Sequence, residues 1–313
     1  MKKGVISLGE ALIDFIPLDE NNFNYQKSPG GAPANVAVGL GRLGVKTCFL
    51  GKVGKDVLGG FLKETLESYN VDTTYMYETE EVRTGFVFVT LGEGGERSFE
   101  FYINPSADRF LDSEEVQNVP FQDYRVLHFG SISLIGEPSR SATKKAVELA
   151  KQNGLIVSYD PNLRLDLWEN EQKAKETIIS MLTEADVLKI SEEELEFLTG
   201  EKDVIQGVEK LTNYNIPVTI VTLGAEGSYV FLKEGYVKVS PMKVEAVDTT
   251  GAGDAYVSGI LYHLQALEKN LGELTLKEVE EIAHFAAVSG GLAASKKGAM
   301  SALPTLEEVK KLL

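Results

Sequence analysis

The chain has 313 residues, 43% hydrophobic and 25% charged, the profile of a globular protein with room for one or two domains. With 47 Asp and Glu against 31 Lys and Arg the net charge is −16; this field repels nucleic acid, and no long basic block offsets it. One cysteine, Cys48, leaves no intrachain disulfide, and no run of about 18 apolar residues is present to span a membrane. In chain order, the basic start "MKKGVISLGE" leads into an apolar run too short for a signal peptide and broken at Glu10. A cytoplasmic protein is expected. Strands are expected at 5–9, 47–54, 126–133, 155–162, 186–191 and 217–224. Helices are expected near 33–43, 57–69, 139–153, 171–183, 203–214, 254–268, 278–294 and 305–312. Such alternation predicts an α/β fold, a doubly wound and mostly parallel sheet, with ligands beyond the carboxyl ends of its strands. The stretch 83–104 departs from it, with two alternating strands around "GEGG" and no helix between them. With the extended segment "LIDFIPL" it suggests a small antiparallel β-sheet, formed by segments about 12–28 and 83–104 and set as a lid on a single domain covering 1–313.

Several motifs mislead. "GLGRLG" (39–44) fits the dinucleotide fingerprint, but it ends a helical pattern where the fingerprint must open one. No G-x-x-x-x-G-K-[ST] occurs, and His128, His263 and His284 are scattered without zinc-ligand spacing.

Two clusters carry chemistry. In "VDTTGAGDAY" (247–256), Gly251, Ala252 and Gly253 form a small-residue turn feeding an amphipathic run, a place where free N–H groups gather and favour anions. Asp254 stands at its mouth, either as a base for a nucleophilic alcohol or as a cap on its own helix. In "GGAPANVA" (30–37), Gly30 and Gly31 permit close approach to the backbone, and Asn35 can donate to and accept from hydroxyls. Asp14 follows the first strand, where a ligand is expected.

These two segments, in this order and near opposite ends of the chain, resemble the two signatures of the PfkB (ribokinase-like) family of carbohydrate kinases. The resemblance covers essentially the whole chain and is closest to the fructokinases, through "ERSFEFY", "NPSAD", "GSISLI", "SYDPNLRLDLW", "EEELEFLTG" and "KKGAMSALPT". It implies transfer of the ATP γ-phosphoryl group to the 6-hydroxyl of D-fructose. Asp254 would be the base, with Gly251, Ala252 and Gly253 as anion hole. Asp14, Gly30, Gly31 and Asn35 would hold the sugar hydroxyls, Arg164 would lie near substrate and phosphates, and Phe101 in the lid would cover the sugar. Lys189, Ser191, Thr222, Gly224 and Gly227 would line ATP. Glu194 would act on hydrated magnesium, and Asp248, Thr250 and Gly298 on a monovalent cation, most simply potassium.

Two positions depart from the family pattern. Ser191 replaces the Asn of its usual Asn-x-x-Glu metal motif, and Ile103 stands where relatives often carry an Arg suited to a sugar acid. Ile103 therefore favours a neutral sugar over 2-keto-3-deoxygluconate. Another sugar or nucleoside kinase of the family, or a sugar-binding regulator without catalysis, are the alternatives. Arg97, Phe99 and Phe101 share one strand face. Arg97 reads as an exposed charge, and the apolar lid as a candidate homodimer surface.

Overall fold

The computed structural model describes residues 3–92 and 97–313. Residues 93–95 of the "GEGG" turn and the side chain of Arg97 lie outside the described residues. The first third runs β1 (Val5–Leu8), β2 (Leu12–Pro17), β3 (Tyr25–Gly30), α1 (Ala32–Arg42), β4 (Thr47–Gly54), α2 (Val57–Ser68), β5 (Val71–Asp72), β6 (Met76–Thr79), β7 (Phe86–Leu91) and β8 (Arg97–Tyr102). The middle continues α3 (Ser113–Gln117), β9 (Val126–Phe129), α4 (Ser139–Gln152), β10 (Ile156–Tyr159), α5 (Glu171–Ser180), β11 (Val187–Ser191), α6 (Glu192–Thr199) and α7 (Val204–Lys210). The last part adds β12 (Val218–Thr222), β13 (Ser228–Leu232), β14 (Gly235–Val239), α8 (Ala252–Leu264), α9 (Leu276–Ala294) and α10 (Leu306–Lys310).

The large sheet has the order β14-β13-β12-β11-β10-β9-β1-β4-β5, with β6 also paired to β4. From β12 to β5 every pairing is parallel. Its central strands are buried from end to end, as a parallel sheet covered on both faces requires. Alternate strand residues feed two cores. Ile6, Leu127, Val157 and Leu188 pack with Ala146 of α4, Ile178 of α5 and Leu195 of α6. Val5, Val126, Ile156 and Val187 pack with Leu40 of α1, Leu261 of α8 and Val279 of α9. The doubly wound expectation is therefore met. The strand expected at 126–133 stops at Phe129 and turns at Ile132–Leu134. The antiparallel extension β13–β14 and the helix α6 were not foreseen.

The small sheet, order β3-β2-β7-β8, is built from two antiparallel pairs, β2–β3 and β7–β8. They are joined by a parallel contact between β2 and β7. In that register Asp14, Val87 and Phe101 are cross-strand neighbours on one face. The other face carries Phe15 stacked on Phe88 at 4.9 Å and Phe86 stacked on Tyr102 at 4.8 Å.

Candidate active site

Helix α8 opens on Gly251 at φ 78°, a left-handed conformation that suits glycine, and no side chain caps it. Asp254 lies in its first turn but does not serve that turn: its Oδ2 accepts a hydrogen bond from Asn35 Nδ2 at 2.8 Å. The capping reading of Asp254 thus fails on geometry. Burial pushes the Asp254 carboxyl up to about 6; Asp160 adds to the rise, while Asn35, Lys189 and Arg164 oppose it. Of the three turn amides, Ala252 N–H donates to Thr249 O at 3.1 Å.

Asn35 reaches Asp254 from the first turn of α1, which also opens on a glycine, Gly31 at φ 102°, without a side-chain cap. The turn is locked against β1 and β2. A Cβ at Gly31 would lie 2.4 Å from Glu10 O, and one at Gly30 would lie 2.4 Å from Asp14 Oδ2. Gly31 is thus required by close approach to backbone, and Gly30 leaves room for the Asp14 carboxyl beside it. Burial raises the Asp14 carboxyl to about 6, against the pull of Arg164. Asn35 Oδ1 is buried and has no hydrogen-bond partner among the described residues, an acceptor left for a hydroxyl.

At the carboxyl ends of β10 and β11, Lys189 Nζ meets Asp160 Oδ2 at 3.1 Å, with both side chains largely buried. Burial disfavours the lysine charge, but Asp160 and Glu194 outweigh it and hold its pKa above the ordinary value. Lys189 also stands 3.8 Å from where a Cβ on Gly253 would be, so it faces the α8 turn. Glu194 forms a capping box with Ser191. Its Oε2 accepts from Ser191 N at 2.8 Å, its Oε1 from Leu163 N at 2.6 Å, and Glu194 N donates to Ser191 Oγ at 3.2 Å. Burial raises the Glu194 carboxyl, with Lys189 opposing. A cleft of about 450 Å³ opens here, lined by Arg164, Lys189, Ser191, Glu194 and their neighbours. Thr222 pairs with Ser191 in the strand register, and Gly224 and Gly227 turn the chain from β12 into β13 at positive φ. These positions share the sheet edge that carries Lys189.

Asp248 Oδ1 accepts from Thr250 N at 3.1 Å and Thr250 Oγ1 at 2.7 Å, while its Oδ2 accepts from Gly298 N at 3.2 Å. The three residues expected to share a cation therefore meet. Among the described residues, no group of three or more His, Cys, Asp or Glu could hold a metal by itself. A divalent ion here would need phosphate oxygens as further ligands.

Two residues escaped the sequence reading. Asp160 has no expected role; its signal in the sequence is an acid directly after a buried strand. Glu10 is visible there only as the residue that breaks an apolar run. Ile103 is buried, and a Cβ on Gly85 would meet its Cγ2 at 3.1 Å, so it packs at the root of the small sheet and brings no charge there.

The description "pfkB family carbohydrate kinase" matches residues 2–306. The probable fructokinase-6, chloroplastic, of Arabidopsis thaliana is 44% identical over 99% of this chain and 82% of its own length. The crystal structure of a fructokinase from Vibrio cholerae with fructose, ADP and calcium ion superposes at a TM-score of 0.90, 39% identical over 99% of both chains. A double mutant of that enzyme with fructose, ADP and potassium ion superposes at 0.89, also 39% identical, over 99% of this chain and 98% of the other.

Proposed function

We propose that this chain, which belongs to the pfkB family of carbohydrate kinases, transfers the γ-phosphoryl group of ATP to the 6-hydroxyl of D-fructose. One observation carries the reading: the carboxyl of Asp254, raised to about 6, is held by Asn35 at the uncapped start of α8. A base of that strength is ionised at neutral pH and still takes a proton as the alcohol attacks. The sugar lies between Asp14, Gly30, Gly31 and Asn35 with its 6-hydroxyl at Asp254. Phe101, on the Asp14 face of the small sheet, covers it, and the sheet serves as the lid of a single 1–313 unit. The hydroxyl proton passes to Asp254, the sugar oxygen bonds to the γ-phosphorus, and the bond to the β-phosphate oxygen breaks, leaving ADP. Charge on the transferring group meets the amides of Gly251 and Gly253, Lys189 and Arg164; the Ala252 amide is held by Thr249 O. ATP extends along Lys189, Ser191, Thr222, Gly224 and Gly227.

The residues present fit the expected ions. Asp160 and Glu194 flank the phosphate cleft as buried carboxylates, and the Glu194 oxygens each keep a second lone pair for a metal-bound water. Magnesium held there would neutralise phosphate charge, which a protein of net charge −16 must offset locally. Potassium would sit at Asp248, Thr250 and Gly298.

A sugar acid would bring a further carboxylate to Asp14 and Asp254, which disfavours 2-keto-3-deoxygluconate. The deciding test is a panel of neutral and acidic sugars with ATP and magnesium. Fructose is expected to give the highest kcat/KM, and preference for an acid would overturn the reading. With fructose, kcat should rise with pH through about 6, as Asp254 loses its proton. Further, Tyr102 is 46% exposed on the face of the small sheet opposite Phe101, a surface we assign to a homodimer; sedimentation checks it. A reducing compartment, the cytoplasm, suits a chain whose one cysteine is buried.

A further inference from the structure

Glu10 lies two residues beyond β1 and is 3% exposed. It has no place in the chemistry above, yet it touches the sugar-side turn twice. Its Oε1 accepts from Ala32 N at 3.1 Å, the first amide of an α1 that lacks a cap of its own. Its carbonyl oxygen lies where a Cβ on Gly31 would collide at 2.4 Å. The neighbouring residues repeat the grip. Ser7 Oγ donates to Pro33 O at 2.7 Å, and the Pro33 ring sits where a Cβ on Gly9 would meet it at 2.5 Å. From this anchored turn Asn35 N–H bonds back to Gly31 O at 2.8 Å, and Asn35 Nδ2 reaches Asp254. Glu10 Oε2 is buried without a hydrogen-bond partner among the described residues.

We propose that Glu10 is a positioning residue of the transfer reaction, a clamp that caps α1 from the end of β1 and thereby sets Asn35 against the base Asp254. The assignment rests on the kinase reading above. Two further facts define how the clamp works. Burial pushes its carboxyl up to about 8; Asp108, from the turn Ala107–Phe110, and Asp254, from α8, add to that rise, and the backbone N–H groups of Glu10 and Ala32 oppose it. Asp108 is itself raised by burial, against Ser106 and Arg109 beside it. Glu10 therefore clamps as a neutral acid at pH 7. Above about 8 it gains a charge that repels Asp254 and Asp108.

The test is the kcat profile over pH 5–10 for wild type, E10Q and E10A, with the melting temperature of each across the same range. E10A should lose more than about tenfold in kcat, the scale of a displaced reacting group, with the KM for ATP little changed. E10Q, which keeps the acceptor and cannot ionise, should restore most of that loss and lack the wild type's fall near pH 8. The native state keeps this proton up to about 8, while the unfolded chain releases it near 4.5. Wild-type stability should therefore decline across that interval, and the melting temperature of E10Q should gain on it from pH 5 to pH 8 and run parallel beyond. An E10Q profile with the wild-type alkaline fall, E10Q as slow as E10A, or E10A as fast as wild type would each overturn the clamp. If E10A is too unstable to assay, the E10Q profile decides alone. A wild type that phosphorylates no sugar would sink the kinase reading instead, and the melting curves would still report whether Glu10 is a neutral clamp.

Discussion

Helices α1 and α8 begin on glycines of positive φ with no side-chain cap, whereas α2, α5, α6, α7, α9 and α10 begin on Asp, Asn, Ser or Thr side chains that accept from their own first turns. A side-chain cap typically stabilises by about 1 kcal/mol. Three helices forgo it, α1, α4 and α8, and of these the two that open on glycine meet across the Asn35–Asp254 bond. Their difference is equally instructive. The first amide of α1 is closed from outside by Glu10. The start of α8 faces Lys189 and suits a group that arrives with negative charge.

The largest effect that could break this contrast is Asp254→Asn. It should lower kcat about a hundredfold or more, the usual share of a general base, while fructose binding by calorimetry persists. Near-normal turnover would reduce α8 to scaffold. Next, Gly31→Ala should cost more than about tenfold in kcat/KM for fructose, because its Cβ collides with backbone, the kind of displacement that dislocates a site. Gly251→Ala has room, with Ala299 Cα at 3.4 Å. It should show chiefly the strain of a left-handed residue, about 1–2 kcal/mol, in its melting curve. Replacing potassium by sodium should lower kcat several-fold, and Asp248→Asn should remove that response; a flat response in the wild type would empty the cation site of function. Smallest, Thr275→Ala removes a scaffold cap on α9. It should lower Tm by about 2 °C with kcat untouched.

What the sequence disclosed follows from range. The order of buried strands and amphipathic helices is written in local periodicity, and β4 falls on its expected 47–54. The signature glycines and Asp254 are legible because a turn of small residues before a helix is a local pattern. Glu10 was not, because its meaning lies in Ala32, Asp108 and Asp254, each distant in the chain. The β13–β14 hairpin was missed because it follows a parallel strand with no change in apolar content to announce it. The parallel contact of β2 with β7 joins segments some 70 residues apart and leaves no mark in either.

The pairing of Asp14, Val87 and Phe101 gives the small sheet something like a reading frame. Side chains alternate with a period of two, so parity alone decides which of them share the Asp14 face. A one-residue slip of β8 against β7 would exchange Phe101 for a neighbour from the opposite face and leave the composition unchanged. A slip of two would restore the phase. Divergence in this sheet is therefore better counted in steps of two than in percentage identity, and a change of register within 86–91 or 97–102 is a change of face until a bulge is shown to absorb it.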